Sequence, residues 1–337
     1  MKSPHEPTVF VSHRDDDDVE ESFRAAVRSL LGADFSSRLA LGSLVASVQG
    51  DAKYELIARE ETAPRAGEMD LHLTGDQIEG HSANAAAFGN FVRQIAESVK
   101  IITRERMGKT RFINDLLIEP GPGSVRAIFR SPDPVPPGAI AGAKDDPFWS
   151  DPNQQSLALH HVALLLANAE PTAEDTGVVD ALVESLPPKA RPKLIGAVKS
   201  IVKQDWLIDG EFRQRGLGIE PISLSGAGAK RLRSALEVRE RTKQEWITTG
   251  HFDGHHRSRG LSWFVPDGGE REMTVVVPTA ELTAAVANLS TESAPRVKAT
   301  FSVISTHGPG EGDAGTRSFI LEAVTEEPEG TVPLDLG

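Results

Sequence analysis

The feature that most limits what this chain can become is the rhythm of short β-branched runs between Thr242 and Glu326. Glu245-Trp-Ile-Thr-Thr249 is followed by Gly250-His-Phe-Asp-Gly254 and then by the basic, turn-rich Gly254-His-His-Arg-Ser-Arg-Gly260. Leu261-Ser-Trp-Phe-Val265 is stopped by Pro266-Asp-Gly-Gly269, and Met273-Thr-Val-Val-Val277 by Pro278. Glycine and proline clusters between such runs supply the backbone conformations that hairpins need. Thr279 can cap a helix over 280–289, where Leu282, Val286 and Leu289 recur at helical spacing. Val297-Lys-Ala-Thr-Phe-Ser-Val303 alternates apolar and polar with period two, as a half-buried strand does, and Ser318-Phe-Ile-Leu-Glu-Ala-Val324 completes the set. Strand, strand, strand, short helix, strand, strand is the order of an OB-like small β-barrel.

The 337 residues leave room for two or three domains. With aromatics at 5%, the cores must be built mainly from Ala, Leu, Val and Ile. The absence of cysteine excludes disulfides, zinc-thiolate sites and cysteine nucleophiles. No apolar run approaches the roughly 18 residues of a membrane span, and Met1-Lys-Ser-Pro-His-Glu-Pro7 lacks a signal-peptide apolar stretch. The expected location is the cytoplasm, with no membrane association. A net charge of −13 opposes non-specific binding to nucleic acid or anionic lipid, so a nucleic-acid role requires a local basic patch.

Upstream of the barrel the periodicities predict an α+β chain. Thr8-Val-Phe-Val-Ser12 reads as a short strand, and Asp15–Asp18 precede an amphipathic helix from Val19 to Leu31, where negative charge complements the helix dipole. Val9-Phe-Val-Ser-His-Arg-Asp15 followed by a helix resembles the opening of a TIR domain over about twenty residues. The parallel strands and glutamate region that such a domain requires do not follow, and the resemblance is set aside. Arg38–Val48 is compatible with a helix or with two strands. Met69–Gly75 alternates as a strand. Ser82 can cap a long helix to Arg106, with Phe88, Phe91, Val92, Ile95, Val99 and Ile102 on one stripe and Gly108 at its end. Ile113–Glu119 and Ser124–Arg130 read as a hairpin, so that one sheet face is covered by one helix.

The Pro/Gly/Asp-rich stretch 131–153 is the best linker, with Phe148 and Trp149 as anchors. Three short helices follow: Gln154–Ala169 capped by Asn153 or Asp151, Asp175–Ser185, and Ala190–Lys203. Trp206–Phe212 and Leu217–Leu224 read as paired strands, and Ser225 caps a helix over 229–238. The expected organisation is a tail and helix over 1–68, a strand-helix-hairpin unit over 69–135, a helical segment over 150–204, a β-hairpin and helix over 205–240, the OB-like barrel over 241–326 and a tail over 327–337.

The candidate ligand-binding residues are His255, His256, Arg257, Arg259 and Trp263, on the loop between barrel strands one and two and just after it. In OB folds that loop and the one between strands four and five flank the binding face. Cationic groups can hold phosphates and an aromatic can stack a base. Six basic residues (Lys230, Arg231, Arg233, Arg239, Arg241, Lys243) face only Glu237 and Glu240 over 230–243; this reads first as a solvated helix face and second as a polyanion contact. His160 and His161 point about 100° apart on a helix and cannot chelate one ion together. His72 and His81 have no visible partner, and His251, Asp253, His255 and His256 match no hydrolase spacing. No phosphate-cradling loop and no nucleophile elbow occurs. These residues assign no catalytic group, metal or cofactor. The expected function is a non-enzymatic binding or regulatory protein that meets a protein partner through its OB-like module. The alternatives are nucleic-acid or nucleotide binding by the barrel loop face, and a hydrolase whose site is assembled from distant residues.

Overall fold

A strand that is apolar on alternate residues must lay that side against something, and here the first such strand becomes the middle of a sheet. The computed structural model describes residues 13–31, 34–76, 78, 82–109, 111, 116–121, 125–134, 152–171, 177–237, 242–256, 260–267, 271–290, 294–306 and 316–326. The chain is mixed α+β and falls into two compact units, Met1–Pro64 and Arg65–Gly337.

The first unit holds α1 (His13–Ser29), α2 (Phe35–Ser47) and α3 (Ala52–Thr62). Helix α1 begins before Val19 and runs through the aspartate run, while Thr8–Ser12 lies outside the described residues. The stretch that allowed either helix or strands is α2, started by Asp34, whose carboxylate accepts from the Ser37 N–H at 2.9 Å. Phe23 of α1 meets Tyr54 of α3 edge-on at 5.1 Å, and Arg24 and Arg28 both hold the buried Glu61.

In the second unit, β1 (Glu68–Thr74) is followed by α4 (Ala85–Arg106), β2 (Leu117–Pro120) and β3 (Val125–Arg130). Helices α5 (Gln154–Ala167), α6 (Val178–Glu184) and α7 (Arg191–Gln204) come next, then β4 (Leu207–Gln214), β5 (Gly218–Leu224) and α8 (Gly226–Glu237). Strand β1 pairs antiparallel with β3 on one side and with β4 on the other, giving the sheet order β2-β3-β1-β4-β5. The strand-helix-hairpin segment and the later hairpin are therefore halves of one sheet. Asn84, not Ser82, caps α4, accepting from the Ala87 N–H at 3.0 Å; Asn153 caps α5 and Ser225 caps α8.

Alternation along β1 explains the layering. Met69, Leu71 and Leu73 are fully buried on the helical side, where α5 lies against β1, β4 and β5, α4 packs on α5 and α7, and α7 packs on α8. Helix α5 is apolar nearly all round because it is covered nearly all round, from Ala158 to Leu166. Glu68 and Asp70 point to the opposite face yet stay buried, since arginines from neighbouring strands lie over them.

Glu68 takes Arg130 and Arg213 together. Burial alone would raise its carboxyl pKa, but the two guanidinium hydrogen bonds and charges outweigh this and hold it below the usual range. A depressed carboxylate contributes stability above its unfolded pKa, near 4.3, which is lost as pH falls through the folded value. Glu68→Gln is expected to cost about 2–3 kcal/mol at neutral pH, discounted because both arginines are partly exposed. Urea unfolding of wild type and variant should show that gap closing toward pH 3; a gap independent of pH would refute the assignment.

The rest of the chain forms a closed five-stranded barrel: β6 (Thr242–His256), β7 (Leu261–Pro266), β8 (Met273–Val276), α9 (Ala280–Leu289), β9 (Val297–Thr306) and β10 (Thr316–Glu326). The strand order is β10-β8-β7-β6-β9, closed by the antiparallel β9–β10 pair, with β8 and β10 parallel. Thr279 caps α9 as expected, accepting from the Leu282 N–H at 3.2 Å. Phe252, Phe264, Phe301, Val275 and Leu321 fill the interior. The adjacent valines of β8 serve two cores: Val275 faces the barrel core, while Val276 belongs to the core of the helical layer, together with Leu261, Ile304 and Ile320.

The stretch 254–260 is not a loop from its start, as its glycines and basic residues suggest: β6 continues to His256 as a single long strand. Its glycines serve close approach, not turning. A Cβ at Gly250 would run into the Val265 carbonyl and the Phe264 ring, and one at Gly254 would stand 3.0 Å from the Trp263 ring. The bend comes from a bulge between Phe252 and Gly254, which leaves Asp253 exposed.

Candidate functional site

The structure separates the residues singled out on the barrel. Arg257 and Arg259 lie outside the described residues. His255 pairs with Ser262 across the β6–β7 ladder, and its Nδ1 lies 2.7 Å from the hydroxyl of the fully buried Ser262. Trp263 pairs with Gly254 and His256 with Leu261. Paired residues share a side and successive ones alternate, so His256 and Trp263 share the outer side and His255 faces the other way. All three are half-buried. Of the basic residues over 230–243, Arg239 and Arg241 lie outside the described residues, and three of the others are engaged within the chain. Arg231 donates to the carbonyls of Asn168, Ala169 and Glu170 at the end of α5, Arg233 pairs with Glu237, and Lys243 pairs with Glu322.

A cavity of about 450 Å³ lies where the barrel meets the helical layer. One wall is Leu157, His160, His161 and Leu164 of α5, Leu182 and Ser185 at the end of α6, Gly216 and Leu217 of the β4–β5 turn, and Arg106 of the last turn of α4. The other wall is Gly260, the segment Val276–Thr279, and Glu281, Thr283 and Ala284 of α9. Gly260 adopts a left-handed φ of +58°, and its carbonyl accepts from the Val277 N–H at 2.8 Å, which fixes the barrel side of the wall.

Arg106, His161 and Ser185 are the polar centre. The Arg106 Nη2 is 2.5 Å from His161 Nδ1, and its Nη1 donates to the Leu157 carbonyl at 3.5 Å. His161 Nε2 is 2.9 Å from the Leu182 carbonyl. A guanidinium has only donors, so Nδ1 must be the bare nitrogen and Nε2 must carry the proton that it gives to Leu182. Burial, reinforced by the Arg106 charge, drives the imidazole down to about 3, so it is neutral at physiological pH. Burial alone brings the guanidinium down to about 10, which leaves it charged. The Ser185 hydroxyl donates to the Leu182 carbonyl at 2.9 Å and lies 3.4 Å from His161 Nε2. A serine beside a histidine suggests a nucleophile with its base, but this nitrogen is already protonated and committed, so it cannot accept the serine proton. His160 turns away from this centre and stacks on Phe212 at 4.7 Å.

In the sequence the histidine doublet suits a structural role, and nothing marks Arg106. A basic residue in the last turn of a helix satisfies the dipole and calls for no other role. Only the neighbouring helices reveal that this one is turned inward.

Among the described residues, no group of three or more His, Asp or Glu converges on a metal-sized position, and no helix is long and apolar enough to cross a membrane. No family model matches the chain, and neither does any curated protein or solved structure.

Proposed function

We propose that the chain is a non-enzymatic binding or regulatory protein whose small-molecule ligand occupies the cavity between the barrel and the helical layer. The barrel, whose strand order we read as OB-like, is then the module that meets a protein partner. The observation that carries the ligand reading is the cavity itself, about 450 Å³ and lined by four leucines, two valines and a few convergent polar groups. That size and that mixture are those of small-molecule sites. The hydrolase alternative loses support from the committed proton on His161.

The test is a thermal-shift and native mass-spectrometry screen of the full chain against small amphiphiles. A bound compound at a hundredfold excess over its Kd should add about 2.7 kcal/mol of stability. Leu157→Phe, which fills part of the cavity, should abolish the shift. The competing reading, nucleic-acid binding, draws on His256 and Trp263 sharing the outer side of the β6–β7 hairpin. It requires instead that single-stranded oligonucleotides bind with an affinity falling steeply with salt. Salt-sensitive oligonucleotide binding with no small-molecule shift would replace the proposal.

A further inference from the structure

Resting on that reading, we propose that the cavity ligand is a small organic monoanion, a carboxylate on an apolar body, whose headgroup binds the Arg106 guanidinium. Among the described residues, no carboxylate lies within 4.0 Å of Arg106; its partners are a carbonyl and a neutral imidazole. Other half-buried arginines meet carboxylates: Arg126 has Asp70, Arg130 and Arg213 share Glu68, and Arg191 has Glu184. Even the adjacent Glu105 turns elsewhere, to Arg104 and Lys189. Arg106 is half-buried, and a partly desolvated cation in a cavity wall, with no counter-charge among the described residues, is a charge that a ligand can neutralise.

The seat is also prepared. His161, and more weakly the Leu157 carbonyl at 3.5 Å, engage two of the five guanidinium N–H groups, which restrains the group and leaves three donors. A fixed planar fork suits the two oxygens of a carboxylate. The N-terminal end of α9, capped by Thr279, faces the same space and favours negative charge. Leu157, Leu164, Leu182 and Leu217 provide the surface for an apolar body. Among the described residues of the lining Glu281 is the sole carboxylate, and it is exposed. One arginine balances one negative charge, and Glu281 would oppose a second, so a monoanion is favoured over a phosphate dianion.

The test uses the full chain and three matched probe series at pH 7.5: phenylacetate, 3-phenylpropanoate and 4-phenylbutanoate, their primary amides, and the corresponding phosphonates, by titration calorimetry. Wild type should bind the best acid at least about tenfold more tightly than its amide, as a charge-assisted pair requires. Arg106→Met should remove that preference while leaving amide affinity within about twofold, because the apolar walls remain. Glu281→Gln should improve the phosphonates relative to the acids. Amides binding as well as acids to wild type would overturn the carboxylate assignment and leave the cavity reading standing. No binding by any series would overturn both. A preference for acids that survives Arg106→Met would place the anion elsewhere and overturn the assignment. Should Arg106→Met fail to fold, Arg106→Gln takes its place, and a preference for acids that survives it would overturn the assignment in the same way.

Discussion

Replacing Trp206 with alanine is expected to cost about 3–5 kcal/mol of folding stability, and replacing it with phenylalanine less than half as much. Trp206 is 0% exposed and is the largest fully buried side chain among the described residues. It sits where three elements meet. Its N–H closes the end of α7 on the Ile201 carbonyl at 3.1 Å, Asp205 before it takes a left-handed φ of 50°, and β4 begins at the next residue. Its ring meets Phe91 of α4 edge-on at 6.2 Å. Alanine would leave a void bounded by a helix, a second helix and the sheet, none of which can collapse without the others. The indole N–H is buried with no acceptor among the described residues, so phenylalanine removes an unsatisfied donor and recovers part of the lost packing. Urea midpoints for the two variants measure the difference, and a Trp206→Ala cost under about 1 kcal/mol would contradict this account.

Acid should weaken the protein from about pH 6.5 downward, well above the range in which carboxylates titrate. Burial, and then the Arg106 charge, hold His161 at about 3 in the folded chain, against about 6.5 when unfolded. Between those values the unfolded chain binds the extra proton, so stability rises with pH and falls as acid is added. The slope approaches 1.4 kcal/mol per pH unit, which gives about 2 kcal/mol lost by pH 5. Burial is the larger cause and the Arg106 charge at Nδ1 the second, with a small push from His160; the Leu182 carbonyl on Nε2–H works the other way and is outweighed. Protonating Nδ1 would expel the guanidinium. His161→Gln keeps an acceptor for Arg106 and cannot titrate, so its stability should be flat from pH 7.5 to pH 5. Parallel slopes for variant and wild type would show that another group is responsible. The Glu68 contribution begins lower, near pH 4.3, so the two effects separate by range.

Much of the chain was legible because the signals concerned are short. The stripe from Phe88 to Ile102, the cap at Asn153, the cap at Thr279 and the alternation from Val297 to Val303 each mark an element that the structure contains. The closed barrel at the end of the chain follows from the same kind of signal. Other expectations failed where one residue type serves two ends. Gly250 and Gly254 looked like turn residues, and crowding from Phe264 and Trp263 shows that they are interior strand residues with no room for a side chain.

Residue order by itself determined the kind and place of most elements, since helical and strand periodicity depend on neighbours a few positions apart. Only the tertiary structure decided that β1 draws β3 and β4 to its two sides, and that Arg106, His161, Ser185 and Thr279 line one cavity. Which strands pair and which charge goes unanswered depend on contacts between positions far apart in the chain, and the energy that selects them is the burial of surfaces no local pattern records.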